Sequence, residues 1–445
     1  MPERSKPHIL SKFVFNTLKG LKNVYTMPPL AVLDRLFETL YFASMQSEEA
    51  QLIQVTVTFY NPDEVRIFPE KEAPLDRWTY SKFDELIPFN IKSLVKLSKA
   101  ADPWSSSLAV YYNEDEELYI YGMIDQAIHQ QRFVNHEIDT KPEQSGLFQV
   151  AIQGIGVLSV TANYRLIAVL RQNVLVRQFL NVWEFGPISD LLEEKAKTFF
   201  ADVEQFMKRS FPNEHPDNWL GLVNNIWRDT LSRILIQIKN YRHGGALLIT
   251  DQMAGLDIKY PLHYKRLRGS MLRFVKYSIA TKIVSDQIGN SGRTINKTLF
   301  DRLELYKIKK SAADNELKGA IRFIASHSCV DGCIVLNSDI NSYGFGAIME
   351  KVLPPDKIYV SSTAGFKENN LTPRDPKDLG TRHRSMMTFC AENPGSIGWV
   401  LSQDGELRVM SMHANKLIVW ENVKTQKYTK LKTNIYHSLS ELDEL

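Results

Sequence analysis

The stretch Ser328–Asp339, SCVDGCIVLNSD, predicts the architecture of the C-terminal part of the chain. Asp331 and Gly332 form a turn-like pair, and the apolar run CIVL that follows is typical of a short buried strand. A helical pattern, NELKGAIRFIASHS, precedes it, and a second strand pattern, GFGAIME, comes after it. Helices and strands that alternate in this way predict an α/β sandwich.

Composition excludes several classes of protein. The chain has 445 residues, 44% hydrophobic and 24% charged, as in ordinary globular proteins. Its 54 Lys and Arg against 51 Asp and Glu leave a net charge of +3, which gives no argument for nucleic acid as a partner. No stretch reaches the roughly 18 apolar residues of a membrane span, and an odd number of cysteines is typical of a reducing compartment. We therefore expect a soluble cytoplasmic protein.

The stretch Asp378–Met386, DLGTRHRSM, groups three cationic or potentially cationic side chains, Arg382, His383 and Arg384. Thr381 is predicted to cap a helix that begins near Arg382. Cations at a helix N-terminus are unfavourable unless an anion is bound there, and arginine pairs well with phosphate. Gly380 lets backbone approach closely because it has no Cβ. A solvated basic helix start is an equally economical interpretation of the pattern.

Asp331 is a candidate ligand for a divalent cation, because it precedes a glycine at the edge of a buried strand. An Asp-Gly turn without any ligand is the commoner interpretation of such a pair. His327, Cys329 and Cys333 superficially resemble zinc ligands. Structural zinc sites need a second pair of ligands, and the chain has no other cysteine pair, so we do not predict zinc.

Taken together, these motifs resemble those of the diadenylate cyclase (DAC) family. The resemblance covers about Lys297–Val423 and rests on DGC at Asp331–Cys333, where the family has Asp-Gly-Ala, and on LGTRHRSM at Leu379–Met386. The order of elements around the two motifs is also similar. The resemblance implies a C-terminal mixed β-sheet flanked by helices. It also implies condensation of two ATP into cyclic di-AMP with release of two pyrophosphates, across a homodimer.

The resemblance also implies roles for individual residues. Asp331 would hold Mg²⁺ or Mn²⁺ and help to activate the ribose 3′-hydroxyl. The remaining site residues would bind the substrate: Gly332, Gly380, Thr381, Arg382, His383, Arg384 and Ser402.

Three departures from the family pattern leave alternatives open. Cys333 replaces the alanine, and Ser402-Gln403-Asp404 stands where the family commonly has Ser-Glu-Glu, so Gln403 cannot supply an anionic metal ligand. The loop over residues 350–379 is longer than expected. A nucleotide-binding sensor without turnover, or a cyclase that makes a different cyclic dinucleotide, would also fit these features.

The rest of the chain resembles the sensor regions that precede some DAC domains, which implies regulation by a ligand whose identity the sequence does not indicate. The passages that carry this looser resemblance are His243–Leu267 and the β-rich segment from Gly146. We expect an α+β sensor region ahead of the cyclase domain. The predicted divisions are an N-terminal α+β region at 1–145, a sensor domain at 146–290, a DAC domain at 297–425 and a tail at 426–445.

Overall fold

The computed structural model describes residues 7–20, 27–63, 78–102, 105–126, 147–162, 165–171, 173–290, 297–349, 353 and 355–425. The described residues form two compact units. The N-terminal unit extends to Gln178, and the C-terminal unit begins at Phe179. The chain is therefore mixed α/β, and the two units are described separately below.

The N-terminal unit is built on one large sheet with helices on one face. Its described helices and strands are α1 (Pro7–Lys19), α2 (Leu30–Ala43), β1 (Ser47–Glu48), β2 (Gln51–Leu52), β3 (Thr56–Phe59), β4 (Thr79–Pro88), α3 (Ile91–Leu97), β5 (Ser106–Tyr112), β6 (Leu118–Asp125), β7 (Phe148–Gly154), β8 (Val157–Ala162), β9 (Arg165–Arg171) and β10 (Val174–Val176). Eight strands pair in the order β10-β9-β8-β7-β3-β5-β6-β4, and β1 pairs with β2 separately. β3 and β5 are parallel, and the other neighbours are antiparallel.

Alternation along β3 decides which face of this sheet carries the helices. Val57 and Phe59 lie in one core cluster with Leu36 and Phe37 of α2. Thr58 points to the other face, since successive side chains of a strand alternate. The N-terminal unit thus buries its apolar stripe against α1–α3.

The C-terminal unit carries both motifs from the sequence. Its helices and strands are α4 (Pro187–Ser210), α5 (Leu220–Tyr241), β11 (Gly245–Ile249), β12 (Leu256–Tyr264), α6 (Arg266–Asn290), α7 (Lys297–Ser326), β13 (Cys333–Leu336), β14 (Ser342–Met349), β15 (Ile358–Ser361), β16 (Leu371–Arg374), α8 (Thr381–Glu392), β17 (Ile397–Leu401), β18 (Leu407–His413) and β19 (Lys416–Trp420). Nine strands form one mixed sheet in the order β12-β14-β13-β11-β17-β18-β19-β15-β16. The parallel pairs are β11 with β13 and β15 with β19.

Both edges of this sheet contain a proline. Pro261 lies in β12 and Pro373 lies in β16. A proline has no N–H to donate, and an edge strand has one side on which no donor is needed. The sequence pattern predicted no strand at LDIKYPLHY (Leu256–Tyr264). A proline inside a strand is confined to edges and bulges, and the sequence does not reveal that this segment lies at an edge.

Helices cover both faces of the C-terminal sheet. In β11, Leu247 and Ile249 pack in one core with α4–α7, whereas Ala246 and Leu248 pack in another with α8. The unbroken apolar run GALLI is therefore a strand buried on both faces. Four helices, the sheet and α8 form three layers.

The expected domain divisions differ from the observed ones. β11 lies inside the segment 146–290, yet it pairs with β13 and β17. The expected boundary near 290–297 separates α6 from α7, although both contribute to the same core, and residues 291–296 lie outside the described part. The difference arises because strands from distant segments pair with each other, and no local sequence pattern predicts which strands pair. The expected tail, 426–445, also lies outside the described residues.

Candidate anion-binding site

The helix that carries the RHR motif begins one residue earlier than expected. Thr381 is the first residue of α8, and Gly380 is the N-cap residue, with φ −65° and ψ 163°. No side chain caps the helix, so the prediction that Thr381 acts as the cap is wrong. Gly380 has open space where a Cβ would be. The first backbone N–H groups of α8 are therefore available to an anion.

Close packing on β17 fixes the position of α8. A Cβ on Gly398 would lie 2.4 Å from Cγ of Met386 and 3.0 Å from Sγ of Cys390. Only a glycine at this position allows the helix to approach the sheet so closely. The first turn of α8 is thereby held near the end of β17.

Arg382 reaches from α8 to the end of the sheet at which β11 begins. Its Nη1 lies 3.1 Å from the point that a Cβ on Gly244 would occupy, and the backbone nitrogen of Gln403 lies 3.3 Å from the same point. Gly244 precedes β11, and Gln403 follows β17. The guanidinium therefore lies where β11 begins and β17 ends.

The parallel pairing of β11 with β13 brings Asp331 to the same end of the sheet. β11 and β13 are parallel, with Leu247 opposite Ile334. Asp331 lies two residues before β13, at the end of the sheet where β11 also begins. In β17, Leu401 is opposite Gly245, so Ser402, the next residue, lies at the same end. Two motifs about fifty residues apart in sequence thus meet at one end of the sheet.

Gly332 has a backbone conformation that excludes other residues. Its φ is +111°, and a Cβ would lie 2.5–2.9 Å from backbone atoms of Gly346 and Ala347. The Asp-Gly pair is therefore a turn required by the pairing of β13 with β14. Asp331 itself is exposed, so the turn presents its carboxylate to solvent.

The arginines at this end of the sheet are of two kinds, those paired with a carboxylate and those that are not. Arg374 donates to Glu421 at 3.0 Å, and Arg408 pairs with both Glu406 and Glu421. Within the described part of the chain, Arg382 and Arg384 have no carboxylate partner.

Among the described residues, the Arg384 guanidinium has one hydrogen bond, and it is long. Its Nη2 lies 3.4 Å from Oγ1 of Thr381. Its Nε is buried and has no hydrogen-bond partner among the described residues. Two guanidinium groups without a carboxylate partner among the described residues therefore share the first turn of a helix with uncapped N–H groups.

His383 differs from its two neighbours because it faces the protein. It is 8% exposed, and its Nε2 lies 3.1 Å from Nη1 of Arg408. Burial lowers the pKa of His383 to about 4, and the nearby charges of Arg408 and Arg382 add to the effect. The ring is therefore neutral at neutral pH, and the motif carries two positive charges.

Ser402 opens the turn between β17 and β18. Its hydroxyl donates to the carbonyl of Glu406 at 3.1 Å. Gln403 is exposed, whereas Oδ1 of Asp404 accepts from the backbone N–H of Glu406 at 3.3 Å. The carboxylate of Glu406 pairs with Arg408. The acidic groups of this turn are thus engaged in the turn itself and its ion pair.

Burial makes two of the three cysteines unreactive. It raises the pKa of Cys333 and of Cys390 to about 12, so both remain thiols.

Among the described residues no group of three or more His, Cys, Asp or Glu side chains could hold a metal ion. A cation near Asp331 would have to take most of its ligands from a bound anion and water, which is the usual way that Mg²⁺ is held with phosphate.

Sequence reasoning missed the ion-pair network behind the motif. Glu406 and Arg408 are two residues apart and share a face at the start of β18, a spacing visible in GELRV. Glu421 and His383 are distant in sequence from this pair, so no local pattern joins them.

The comparisons with known proteins concern mainly the N-terminal unit. Residues 22–125 match the family described as "probable sensor domain DACNV". The matched segment lies in the N-terminal unit, whereas the sequence analysis assigned the sensor to 146–290. Comparison with curated proteins and with solved structures gave no match. No helix in the described ranges is long and apolar enough to cross a membrane. The chain therefore carries, at residues 22–125, a segment similar to a family of sensor domains.

Proposed function

We propose that the C-terminal unit is a diadenylate cyclase and that the segment similar to a sensor regulates it. The observation that carries the proposal is the pair of arginines without carboxylate partners, Arg382 and Arg384, on an uncapped helix start. The same end of the sheet carries the exposed Asp331. The sensor-family match adds support, because it is to a sensor named for its association with DAC domains.

The negative charge of the ATP triphosphate complements the positive charge at this end of the sheet. Arg382 and Arg384 would donate to its oxygens, and the first N–H groups of α8 would add to them. Arg374 and Arg408 are neutralised by Glu406 and Glu421, so they are not expected to contact phosphate. His383 is buried, and the half-buried Ser402 donates its hydroxyl to the Glu406 carbonyl, so neither is expected to be a main phosphate donor.

The reaction requires two nucleotides that face each other. The 3′-oxygen of each ribose attacks the α-phosphorus of the other ATP. The P–O bond to pyrophosphate breaks, and the hydroxyl proton passes to water. Asp331 would orient the attacking hydroxyl. A divalent cation held by Asp331 and the phosphates would supply charge neutralisation. Two copies of the chain must therefore associate, at least transiently, and turnover per molecule should rise with protein concentration.

Replacement of Asp331 tests the catalytic role. Purified Asp331→Asn should form no cyclic di-AMP from ATP with Mg²⁺ or Mn²⁺, whereas wild-type protein should form it, as measured by mass spectrometry. Binding of ATP should change little, because the phosphate donors remain. Equal product from both proteins would contradict the assignment. A product of different mass that forms only when GTP, CTP or UTP is supplied as well would identify another cyclic dinucleotide.

Replacement of the two arginines tests the binding role. Each charge-assisted contact contributes on the order of 1.5–3 kcal/mol, so Arg382→Ala and Arg384→Ala should each weaken ATP binding by about tenfold or more. Isothermal titration calorimetry measures the change. Arg273→Ala is the matched control, since Arg273 pairs with Glu316 between α6 and α7. A loss of similar size in the control would show that the effect is not specific to the site.

A nucleotide-binding sensor without turnover is the second candidate function. It is favoured by the turn after β17, where Gln403 is neutral and the carboxylates of Asp404 and Glu406 are both engaged. The site then has Asp331 as its one free carboxylate among the residues discussed. Measurable ATP binding without product, with either metal, would select this alternative.

A further inference from the structure

Arg408 has three partners that come from separate parts of the C-terminal unit. Its Nη2 lies 2.6 Å from Oε2 of Glu406, and its Nε lies 2.9 Å from Oε1 of Glu421. Its Nη1 lies 3.1 Å from Nε2 of His383. The Arg408 side chain is 15% exposed, so these contacts occupy it almost fully. Arg408 therefore joins β18, the end of β19 and the first turn of α8.

The contact with His383 determines which ring nitrogen carries the proton. Arginine stays protonated and has only donors, so Nη1 must donate and Nε2 of His383 must accept. A ring whose Nε2 accepts is neutral and carries its hydrogen on Nδ1. A second positive charge in contact with the guanidinium would also be repelled. The geometry thus leaves one protonation state for the ring.

We propose that Arg408 is a positioning residue for the anion-binding site: it fixes His383 as the neutral Nδ1–H tautomer and thereby holds the first turn of α8, with Arg382 and Arg384, in its binding orientation. The effect on nucleotide rests on the proposed function, whereas the effect on the His383 ring does not. Glu406 and Glu421 hold the guanidinium, and Arg374, which shares Glu421, extends the network to β16.

Charged groups from four elements act on the His383 ring. Arg408 on β18, Arg382 on the same helix turn and Arg374 on β16 oppose its protonation, and Asp404 in the turn after β17 favours it. Glu406 and Glu421 lie behind Arg408, whose guanidinium they hold. Removal of Arg408 takes away the cation in contact with the ring and leaves the two carboxylates without it, so the pKa of His383 should rise although the ring stays buried.

Histidine nitrogen chemical shifts test the tautomer directly. In wild-type protein labelled at histidine and assigned with His383→Gln, His383 should show the neutral Nδ1–H pattern from about pH 8 down to about pH 5.5. In Arg408→Met the ring should become a mixture of tautomers and should titrate in this range. A wild-type ring that is protonated, or that carries its hydrogen on Nε2, would overturn the proposal without affecting the proposed cyclase.

Nucleotide affinity tests the positioning. Arg408→Met should bind a non-hydrolysable ATP analogue roughly tenfold more weakly near pH 7.5, the effect of losing about one hydrogen-bonded group. Affinity should recover in part as the pH falls, because a protonated His383 restores a positive charge next to the two carboxylates that held Arg408. The wild type should show no such recovery. A purely structural role would weaken binding equally at every pH, and that result would overturn the proposal.

A conservative variant covers the case in which Arg408→Met does not fold. Arg408→Lys keeps a positive donor beside Nε2 and a partner for the two carboxylates, so it should retain the tautomer and most of the affinity. Arg273→Met is the control for removal of a carboxylate-paired arginine elsewhere. Loss of the Nδ1–H tautomer in a folded Arg408→Lys protein with wild-type affinity would also overturn the proposal. If the wild type binds no nucleotide, the proposed function fails, and the chemical shifts still decide the tautomer.

Discussion

At the scale of single residues, the site depends on which side chains are already neutralised. His383 looked like a third cation beside Arg382 and Arg384, yet burial and Arg408 keep it neutral. The repulsion expected from three adjacent cations is thereby reduced to that between two. Two arginines on one helix turn still favour an anion, because the N-terminus of a helix already carries partial positive charge.

The low pKa of His383 predicts a loss of stability in mild acid. The pKa falls from an ordinary 6.5 to about 4 on folding, so the unfolded chain binds the proton more readily. The contribution to stability is complete above about pH 6.5 and is lost as the pH falls towards about 4, with a slope approaching about 1.4 kcal/mol per pH unit. Urea unfolding of wild type and His383→Gln at several pH values measures the difference in slope.

An exposed histidine provides the control for that experiment. His215→Gln removes a solvent-exposed imidazole and should leave the slope of the wild type unchanged. Identical slopes in wild type and His383→Gln would show that the ring is not buried in its neutral form.

Two glycines of the site should differ in how much an added methyl group destabilises the protein. Gly332→Ala should destabilise the protein by about 1–3 kcal/mol or more, because its φ is +111° and the Cβ would meet backbone at 2.5 Å. Gly380→Ala should cost about 1 kcal/mol or less, since its φ is −65° and the space is open, and the change only makes a poorer N-cap. Chemical denaturation measures both, and equal costs would contradict the assigned backbone conformations.

At the scale of elements, the position of α8 depends on a missing side chain in the strand beneath it. Gly398 of β17 lets Met386 lie where a Cβ would otherwise be. The first turn of the helix then reaches Gly244 and the turn after β17. The N-terminus of α8 is a candidate site because the adjacent end of the sheet carries further polar groups.

The packing of α8 on β17 predicts non-additive mutations. Gly398→Ala should destabilise the protein by about 1–3 kcal/mol through overpacking against Met386. Met386→Ala should cost about 2–5 kcal/mol through the cavity it leaves. The double variant should cost less than the sum, because the new methyl group occupies part of that cavity. Free energies of unfolding of the three variants complete the cycle, and strict additivity would contradict the contact.

At the scale of the whole molecule, β11 determines the extent of the C-terminal unit. It lies between β13 and β17 and packs on both faces. The segment that resembles the DAC family, from Lys297, therefore lacks a central strand and three of the four helices on one face. Residues 179–290 are part of the same fold.

Two fragments test this division. Residues 179–425 should unfold in one cooperative transition, because they contain the complete nine-stranded sheet. Residues 297–425 should not, because the loss of β11 leaves β13 and β17 without their shared neighbour and exposes both cores. Circular dichroism during thermal unfolding measures cooperativity, and a cooperative transition in the shorter fragment would contradict the assignment of β11.

The sequence by itself determined the elements that depend on local pattern. The strand after Asp331 and the helix at Arg382 were predictable, because apolar periodicity and turn residues are local signals. A sensor region ahead of the C-terminal unit was expected from resemblance to a family and not from periodicity. Only the tertiary structure decided where the unit begins and which arginines are free. Arg408 and His383 are 25 residues apart, and Arg374 and Glu421 are 47 apart. Pairs of this kind form because the sheet brings strand ends together, and no periodicity in the chain encodes which charges meet there.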